Sequence, residues 1–591
     1  MNYFISRWEK QTLKARALIG ENGPKIAIFV NALLLCFVGL IYVLCLPSQV
    51  QGGDTGEMAA NPYAGRLLHP PGFPVFYWLA RFATHVLPLD SVFTRGALLS
   101  VFTSLASLAL LLSWKKVGPR LGLALTLAVS PTFWHYSVLP EVFLVQMPFL
   151  VAFLLLLEKE RFIAATCFFA LALGVHPQAI FLVPLWAWSL GRIRIVPHSS
   201  LLVSLVLLAY GSLAFIRSDS LYSWRDINSI EALLHHMLRF DYGALKLSAA
   251  GGSFFLLQHL LFFCSRNYAI LLILIPITLL GWRNLNKHAK GLALSAFGFL
   301  LIFFSLANTD PILLAGEVVA RFHIFPLLLL TLASRNAIDR VPKLGLLAFL
   351  LGIAQIALYF PENNFSKRKI IAEYATNLLR QTEPANCAIL ITQSDAVYVA
   401  ANYLQTVEGV APRVIVVAKG LLGLAVYRER LKNLGLKFGG VNEVPEDYVR
   451  DILLPNLSTC RIVAEYQDQT PLSGIRFLPV GREIITRPTV ELGAGPELLI
   501  SDEPDERLHY DVEKRLFARY ADFFLMRSLM EEKSGELAMA RKSLADALKI
   551  VPYCTFAWER LCSIDAKLGL ESKLICELAQ TKDPYCDPRR P

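Results

Sequence analysis

Apolar runs long enough, or nearly long enough, to cross a bilayer recur through the first 360 residues, at 26–46, 94–114, 121–135, 142–158, 162–175, 177–191, 196–216, 267–282, 289–308, 322–335 and 343–360. The pattern predicts an α-helical polytopic membrane protein with about eleven spans. Pro131, Pro148, Pro184, Pro276 and Pro326 interrupt some runs, which a span tolerates where neighbouring helices satisfy the freed backbone groups. After Phe360 the period changes. Short β-type runs, "CAILIT" at 387–392 and "RVIVVA" at 413–418, alternate with helical patterns such as 367–380 and predict a small α/β unit. From about 510 the pattern is helical. Ala540, Leu544, Ala547 and Pro552 fall at tetratricopeptide spacing, with Trp558 and Leu561 opening a further unit, although a plain helical hairpin gives the same spacing. The expected organisation is a membrane part over 1–360, a soluble α/β domain over 361–500 and a helical, TPR-like domain over 501–591.

Charge gives the runs a direction. Alternate connections carry the base: Arg7, Lys10, Lys14, Arg16 and Lys25, then Lys115, Lys116 and Arg120, then Lys159 and Arg161, then Arg192 and Arg194, then Arg283, Lys287 and Lys290, then Arg335, Arg340 and Lys343. By the positive-inside rule these face the cytoplasm. The other connections are longer and hold Asp54, Glu57, Asp90, Glu141, Asp219, Asp226, Glu231, Asp241, Asp310 and Glu317. With the N-terminus inside, an odd number of crossings puts those loops and the whole tail in one extracytoplasmic space.

Composition agrees: 55% of the 591 residues are hydrophobic, 18% are charged and the mean hydropathy is +0.48. The net charge of +10 is explained by the basic connections, so no nucleic-acid partner is expected. The first run is longer than a signal-peptide core and lacks a small-x-small cleavage pattern, so it is read as a retained span. Cys36, Cys45, Cys167 and Cys264 lie in or near apolar runs as small hydrophobes. Cys554, Cys562, Cys576 and Cys586 crowd the tail and suit disulfides in an oxidising compartment, with three pairings open and no common zinc spacing.

The densest chemistry follows the first run, in "QGGDTGEMAANPYAGRLLHPPGFP" at 51–74. A carboxylate outside a span has a plain explanation, an interface charge facing water. Here Gly52, Gly53 and Gly56 surround Asp54 and allow close backbone approach, and Glu57 at i+3 would share a helical face with it. Arg66 and His69 follow, then a rigid Pro-Pro-Gly turn and the amphipathic stretch "VFYWLARFATHVLPL", expected to lie along the interface. Transfer of a sugar from a lipid carrier needs a carboxylate to take a hydroxyl proton, cations to hold a departing phosphate, and a place at the lipid–water boundary. The first outer loop supplies each.

The order of blocks is also familiar. That loop, "SPTFWHYSVLPEVFLVQ" (130–146), "LALGVHPQ" (171–178), "LRFDYG" (238–243), "VVARF" (318–322) and the tail stretch 390–422 resemble the GT-C superfamily of polytopic glycosyltransferases. Within it the resemblance is to the family, long labelled a domain of unknown function, that includes the animal protein O-mannosyltransferase of the endoplasmic reticulum. It implies a polyprenyl- or dolichyl-phosphate sugar donor, inversion at the anomeric carbon, and Asp54 as base with Glu57 as its partner in orienting the acceptor or tuning the pKa. His69 would line the site. Many relatives have Asn-Asp where this chain has Gln393-Ser394-Asp395-Ala396, so no catalytic role is carried onto the soluble domain.

Other candidates for donor or acceptor binding are Arg66, Glu141, His176, Arg239 and Arg321. Arg321 is the first choice for the phosphate, because a guanidinium grips two oxygens at once. Each has a plainer reading: Glu141 as a cap of the next helix, His176 as a hydrogen-bonded turn residue, Glu317 and Arg321 as an i,i+4 pair. Arg239 and Asp241 lie in a loop expected to form an interfacial helix, and adjacent His235 and His236 point apart, against a paired metal site. No nucleotide-type glycine cradle, HExxH or CxxC occurs. The expectation is an enzyme with no essential cofactor or metal, although Asp54-x-x-Glu57 could take a divalent ion. Its expected partners are membrane lipid, the lipid-linked donor (mannose favoured) and a protein hydroxyl or glycolipid acceptor. The competing classes are a transporter and a non-catalytic receptor or scaffold. A bacterial inner membrane is favoured, or the endoplasmic reticulum if the source is eukaryotic, where "NFS" (364–366) and "NLS" (456–458) would be glycosylation acceptors.

Overall fold

A computed structural model of the protein describes residues 25–113, 119–242, 255–307, 311, 315–338, 341–383, 385–439, 449–465, 474–486, 490–493, 500 and 511–570. Six helices among them are long and apolar enough to cross a membrane: Lys25–Leu44, Val92–Leu112, Pro177–Phe215, Lys287–Leu306, Val318–Arg335 and Lys343–Asn363. Two bent pairs, Pro131–Ser137 with Val142–Glu158 and Leu256–Arg266 with Tyr268–Leu279, raise the number to eight if each is one span. The eleven runs of the sequence therefore do not map one to one onto long helices. The runs 177–191 and 196–216 join into one 39-residue element that breaks helical geometry at Gly191 (φ 69°, ψ 175°). The run 121–135 divides into Pro119–Ala128 and Pro131–Ser137, and Phe162–Val175 has 14 residues. At 1.5 Å per residue that last helix reaches roughly 21 Å, short of a hydrocarbon core of about 30 Å. Hydropathy marks apolar segments well but does not separate a straight span from a bent or short one.

The stretch after the Pro-Pro-Gly turn is the helix Pro74–Val86. It buries Phe76, Tyr77, Ala80 and Ala83 on one face and exposes Trp78, Phe82 and Val86 on the other. Its exposed apolar side chains are what a helix lying along the expected interface would present to lipid.

The tail holds a six-stranded mixed sheet: β1 Ala388–Thr392, β2 Ile415–Ala418, β3 Arg461–Ala464, β4 Ile475–Phe477, β5 Arg482–Ile484 and β6 Val490–Leu492, in the order β2-β1-β3-β5-β4-β6. β1 runs parallel to both β2 and β3 and is buried along its whole length, as a central parallel strand covered by helices must be. Cys387 and Cys460, just ahead of β1 and β3, form a disulfide. Cys554 and Cys562 are disulfide-bonded as well, and Cys576 and Cys586 lie outside the described residues. The helices Asp511–Lys533, Leu537–Ile550 and Thr555–Lys567 follow, with Ala540, Leu544 and Ala547 fully buried.

The first outer loop and the tail share one apolar core. Val50, Ala59, Ala60 and Phe93 pack with Leu390, Val397, Tyr403 and Phe517. Hydrogen bonds cross the same contact, from Asn402 Nδ2 to Asn61 Oδ1 (2.9 Å), from Gln51 Nε2 to the Arg368 carbonyl (2.9 Å) and from the Phe93 N–H to Tyr403 Oη (3.1 Å). The tail is thereby seated directly over the loop that carries Asp54.

Candidate active site

The glycines around Asp54 have separate tasks. Gly53 turns the chain with φ +67°, a left-handed conformation that disfavours side chains. Gly56 lies so close to the tail helix Asp395–Tyr403 that a Cβ there would stand 2.6 Å from the Val399 carbonyl oxygen. Together they let the helix Thr55–Ala64 start right after Asp54 and press against the tail. Asp54 occupies the N-cap position, yet its side chain makes no capping hydrogen bond. An aspartate that forgoes a cap of typically ~1 kcal/mol is held by something else.

What holds it is Arg321. Its Nη1 lies 2.6 Å from Asp54 Oδ2 and 3.2 Å from Glu141 Oε1, so one guanidinium bridges two carboxylates that are far apart in sequence. The Arg321 guanidinium also lies against the Phe143 and Phe322 rings. Burial pushes the Asp54 carboxyl up, but Arg321, helped by His69 and Arg239, outweighs it and holds the group down at about 2. The plain reading of Glu141 as a helix cap is thus extended, and the i,i+4 pairing of Glu317 with Arg321 falls on a side chain outside the described residues. Glu141 does cap its helix, accepting from the Val142 N–H (3.2 Å), while its other oxygen meets Arg321.

Glu57 turns elsewhere. Its Oε1 accepts the His69 backbone N–H at 2.7 Å and its Oε2 lies 2.8 Å from His69 Nδ1. The two acids of Asp54-x-x-Glu57 therefore have different partners and present no joint face to a metal ion. Among the described residues no group of three or more His, Cys, Asp or Glu is placed to hold one. Arg66 is also directed away, donating to Thr406 Oγ1 (2.5 Å) and Asn402 Oδ1 (3.4 Å) of the tail and facing the Tyr222 ring. It fastens the loop to the tail and lines neither cavity described next.

Two cavities meet at Asp54 and Arg321. The first, about 230 Å³, is walled by Met58, Phe73, Val142, Phe143, Val318, Val319 and Phe322, with His69, His176 and Arg239 as its other polar groups. Its surface is thus mostly apolar with a cluster of nitrogen-bearing groups. His176 stacks on Phe73 and accepts the Gln178 N–H through Nδ1 (3.2 Å). Burial, with Arg239 and Arg321 adding to it, drives this imidazole well below its ordinary range, so it is neutral. Arg239 has a left-handed backbone (φ 58°) and faces the Tyr242 ring, and its Nε has no hydrogen-bond partner among the described residues. Asp241 instead pins the loop, accepting from Trp224 Nε1 and Arg225 Nη2 at 2.8 Å each. His236 is buried while His235 is half-exposed, so the adjacent pair does diverge.

The second cavity, about 290 Å³, is lined by many charged and polar side chains among apolar ones, and half of its lining belongs to the tail. Gln393, Ser394, Asp395, Glu465, Arg515 and Arg519 face Gln51, Asp54, His135, Tyr136, Glu141 and Arg321 across it. Sequence reasoning left all these tail residues aside. Their position has a simple cause: the chain leaves β1 toward β2 on one side of the sheet and leaves β3 toward β4 on the other, and a crevice opens outside the carboxyl ends of strands at such a switch point. Gln393–Ala396 follow β1 and Glu465 follows β3. Glu465 Oε2 ties the crevice together, accepting from Thr392 Oγ1 (2.5 Å), the Gln393 N–H (2.8 Å) and the Ser394 N–H (3.1 Å).

No family model matches the chain. Among curated proteins it is similar to "Protein O-mannosyl-transferase tmem260" of Dictyostelium discoideum, 26% identical over 321 residues, which covers 46% of this chain and 39% of that protein. It is likewise similar to "Protein O-mannosyl-transferase TMEM260" of Mus musculus, 29% identical over 240 residues, covering 36% of this chain and 34% of the mouse protein. The matches thus span between a third and two fifths of those relatives' length. Among solved structures the fold is similar to ArnT from Cupriavidus metallidurans bound to undecaprenyl phosphate (10% identity, TM-score 0.49, 73% of this chain and 92% of that one). The same protein in the apo state gives 10% identity, a TM-score of 0.44, and 72% and 97% coverage. By sequence the chain is thus similar, over less than half of its length, to two proteins named as TMEM260 protein O-mannosyl-transferases.

Proposed function

We propose that the protein is a membrane glycosyltransferase that moves a sugar, mannose favoured, from a polyprenyl-phosphate carrier to an acceptor hydroxyl, with inversion and with Asp54 as base. The observation that carries this reading is the position of Asp54 and Arg321 on the wall common to two cavities, one walled by the membrane part and one shared with the tail. The first, with Arg239, Arg321 and His69 among apolar side chains, suits an amphiphile whose phosphate must be held, and the second, with the charged and polar side chains of the tail, suits an acceptor hydroxyl. A carboxylate between them can take the acceptor proton as the hydroxyl attacks the anomeric carbon. The departing phosphate competes with Asp54 for Arg321, so donor binding would release the carboxylate from its ion pair and raise its basicity where it is needed.

The name of the two curated relatives supports mannose as the sugar and a protein hydroxyl as the acceptor. The reaction needs no metal, since guanidinium groups neutralise the phosphate. We read 1–360 as the catalytic membrane part, and 361–500 and 501–591 as soluble domains on its extracytoplasmic side. The disulfide-bonded cysteines of the tail favour that side, because such bonds persist in oxidising compartments. The test is transfer from labelled polyprenyl-phosphate mannose, with the glucose and arabinose donors alongside, in membranes holding the wild type or Asp54→Asn. Transfer that collapses in the variant at equal protein level is expected. Equal transfer in both would remove Asp54 from the mechanism.

A further inference from the structure

Glu57 and His69 form a unit that the loop takes trouble to build. Both carboxylate oxygens are committed to one residue, Oε1 to its backbone N–H and Oε2 to its ring Nδ1, which fixes the main chain and the imidazole together. The Phe73 and Trp224 rings meet the imidazole edge-on and keep it from swinging. With Nδ1 taken, Nε2 is the ring atom left to face the apolar cavity, which His69 lines beside Asp54, Arg239 and Arg321. A carboxylate fixing a histidine through one nitrogen so that the other can work is a recurring device for moving protons.

We propose that His69, positioned by Glu57, is the general acid of the transfer and gives its Nε2 proton to the departing phosphate. This rests on the glycosyltransferase reading above and adds a second proton step to it. The bond from the anomeric carbon to the phosphate oxygen breaks and the bond from the acceptor oxygen forms. The acceptor proton goes to Asp54, and the His69 proton goes to the phosphate, which then leaves as a monoanion rather than a dianion. Solvent afterwards deprotonates Asp54 and reprotonates His69.

The groups facing the imidazole fit this role. Burial opposes its protonation, but Glu57 outweighs burial, Asp54 adds to it and Arg321 subtracts, and the net effect raises His69 above its ordinary value. His176 and His236, the imidazoles that feel the charge of His69, are held neutral mainly by burial. Arg239 shares the cavity, and Tyr242, beside Glu57 and Asp54, is pushed up and stays protonated. His69 is therefore the one imidazole among these whose hold on a proton is strengthened rather than weakened.

The experiment is the pH profile of kcat for transfer from polyprenyl-phosphate mannose, measured for the wild type, His69→Gln and Glu57→Gln. The wild-type rate should fall as pH rises through the His69 pKa, because the acid form is lost. His69→Gln should lack that limb, so its deficit of roughly 10²-fold at pH 6 shrinks toward parity at pH 9. Glu57→Gln, which keeps His69, should move the limb to lower pH. A deficit that stays constant with pH, or a limb that survives in His69→Gln, would overturn the proposal and leave His69 a packing residue. Absence of transfer by the wild type with any donor would instead overturn the glycosyltransferase reading itself. Retention of the tail disulfides and of a wild-type melting temperature in His69→Gln separates a misfolded variant from a catalytic one.

Discussion

The two cavities that share Asp54 and Arg321 differ in what built them. The apolar one comes almost wholly from loops and helix ends of the membrane part, and its nitrogen groups sit among Phe73, Phe143 and Phe322. The other is closed by a sheet crevice and a helix that lie more than 300 residues further along the chain. The difference teaches that the membrane part alone walls one of the two cavities at Asp54, and that the tail supplies half the lining of the other.

Asp54→Asn should break both halves at once, because it removes the proposed base on the wall common to both cavities. A loss of about 10²–10⁴ in transfer is expected from general-base catalysis, measured with labelled donor at matched protein level. Arg321→Lys should fall mainly on the donor half. It keeps a charge but loses the planar fork that could grip two phosphate oxygens, and a charge-assisted hydrogen bond is worth ~1.5–3 kcal/mol, roughly 10- to 100-fold in kcat/KM for the donor. Equal losses for donor and acceptor in that variant would mean that Arg321 serves the ion bridge to Asp54 and Glu141 rather than the phosphate.

The tail half is tested by Asp395→Asn, at the start of the helix that overlies Gly56. One neutral-scale hydrogen bond, ~0.5–1.5 kcal/mol, corresponds to roughly a two- to tenfold rise in acceptor KM with donor KM unchanged. A change in donor KM instead would erase the division of labour between the cavities.

These contrasts also explain what the sequence could and could not reveal. Hydropathy exposes apolar segments because the bilayer imposes one rule on all of them, and the density of Gly, Asp and Glu after the first run stands out against that background. The Arg321–Asp54 contact spans 267 positions and has no local signature. Glu57 and Asp54 share an i,i+3 spacing, which suggested one face, but Asp54 precedes the helix rather than lying in it, and its N-cap geometry turns it away. The tail residues Gln393–Ala396 and Glu465 were readable only through strand order, which puts the ends of β1 and β3 side by side. Cys387 and Cys460 precede those same two strands and pair for the same reason.

The smallest effect expected is on pH, and it sharpens the comparison most. Asp54 is depressed to about 2 in the substrate-free protein, below its ordinary 3.8. A carboxylate with a lowered folded-state pKa contributes stability that is fully present above its unfolded value and is lost as pH falls through the folded one. The window is therefore about 4 down to 2, and above it Asp54 stays ionised. Because kcat/KM reports groups of the free enzyme, its acid limb between pH 5 and 7 should owe nothing to Asp54. The profile of kcat reports the donor-bound enzyme, and if the phosphate there draws Arg321 away as proposed, the Asp54 limb should move to higher pH. Identical acid limbs in the two profiles would mean that Arg321 never leaves Asp54, and the two cavities would then be joined by a fixed strut rather than by an exchange of partners.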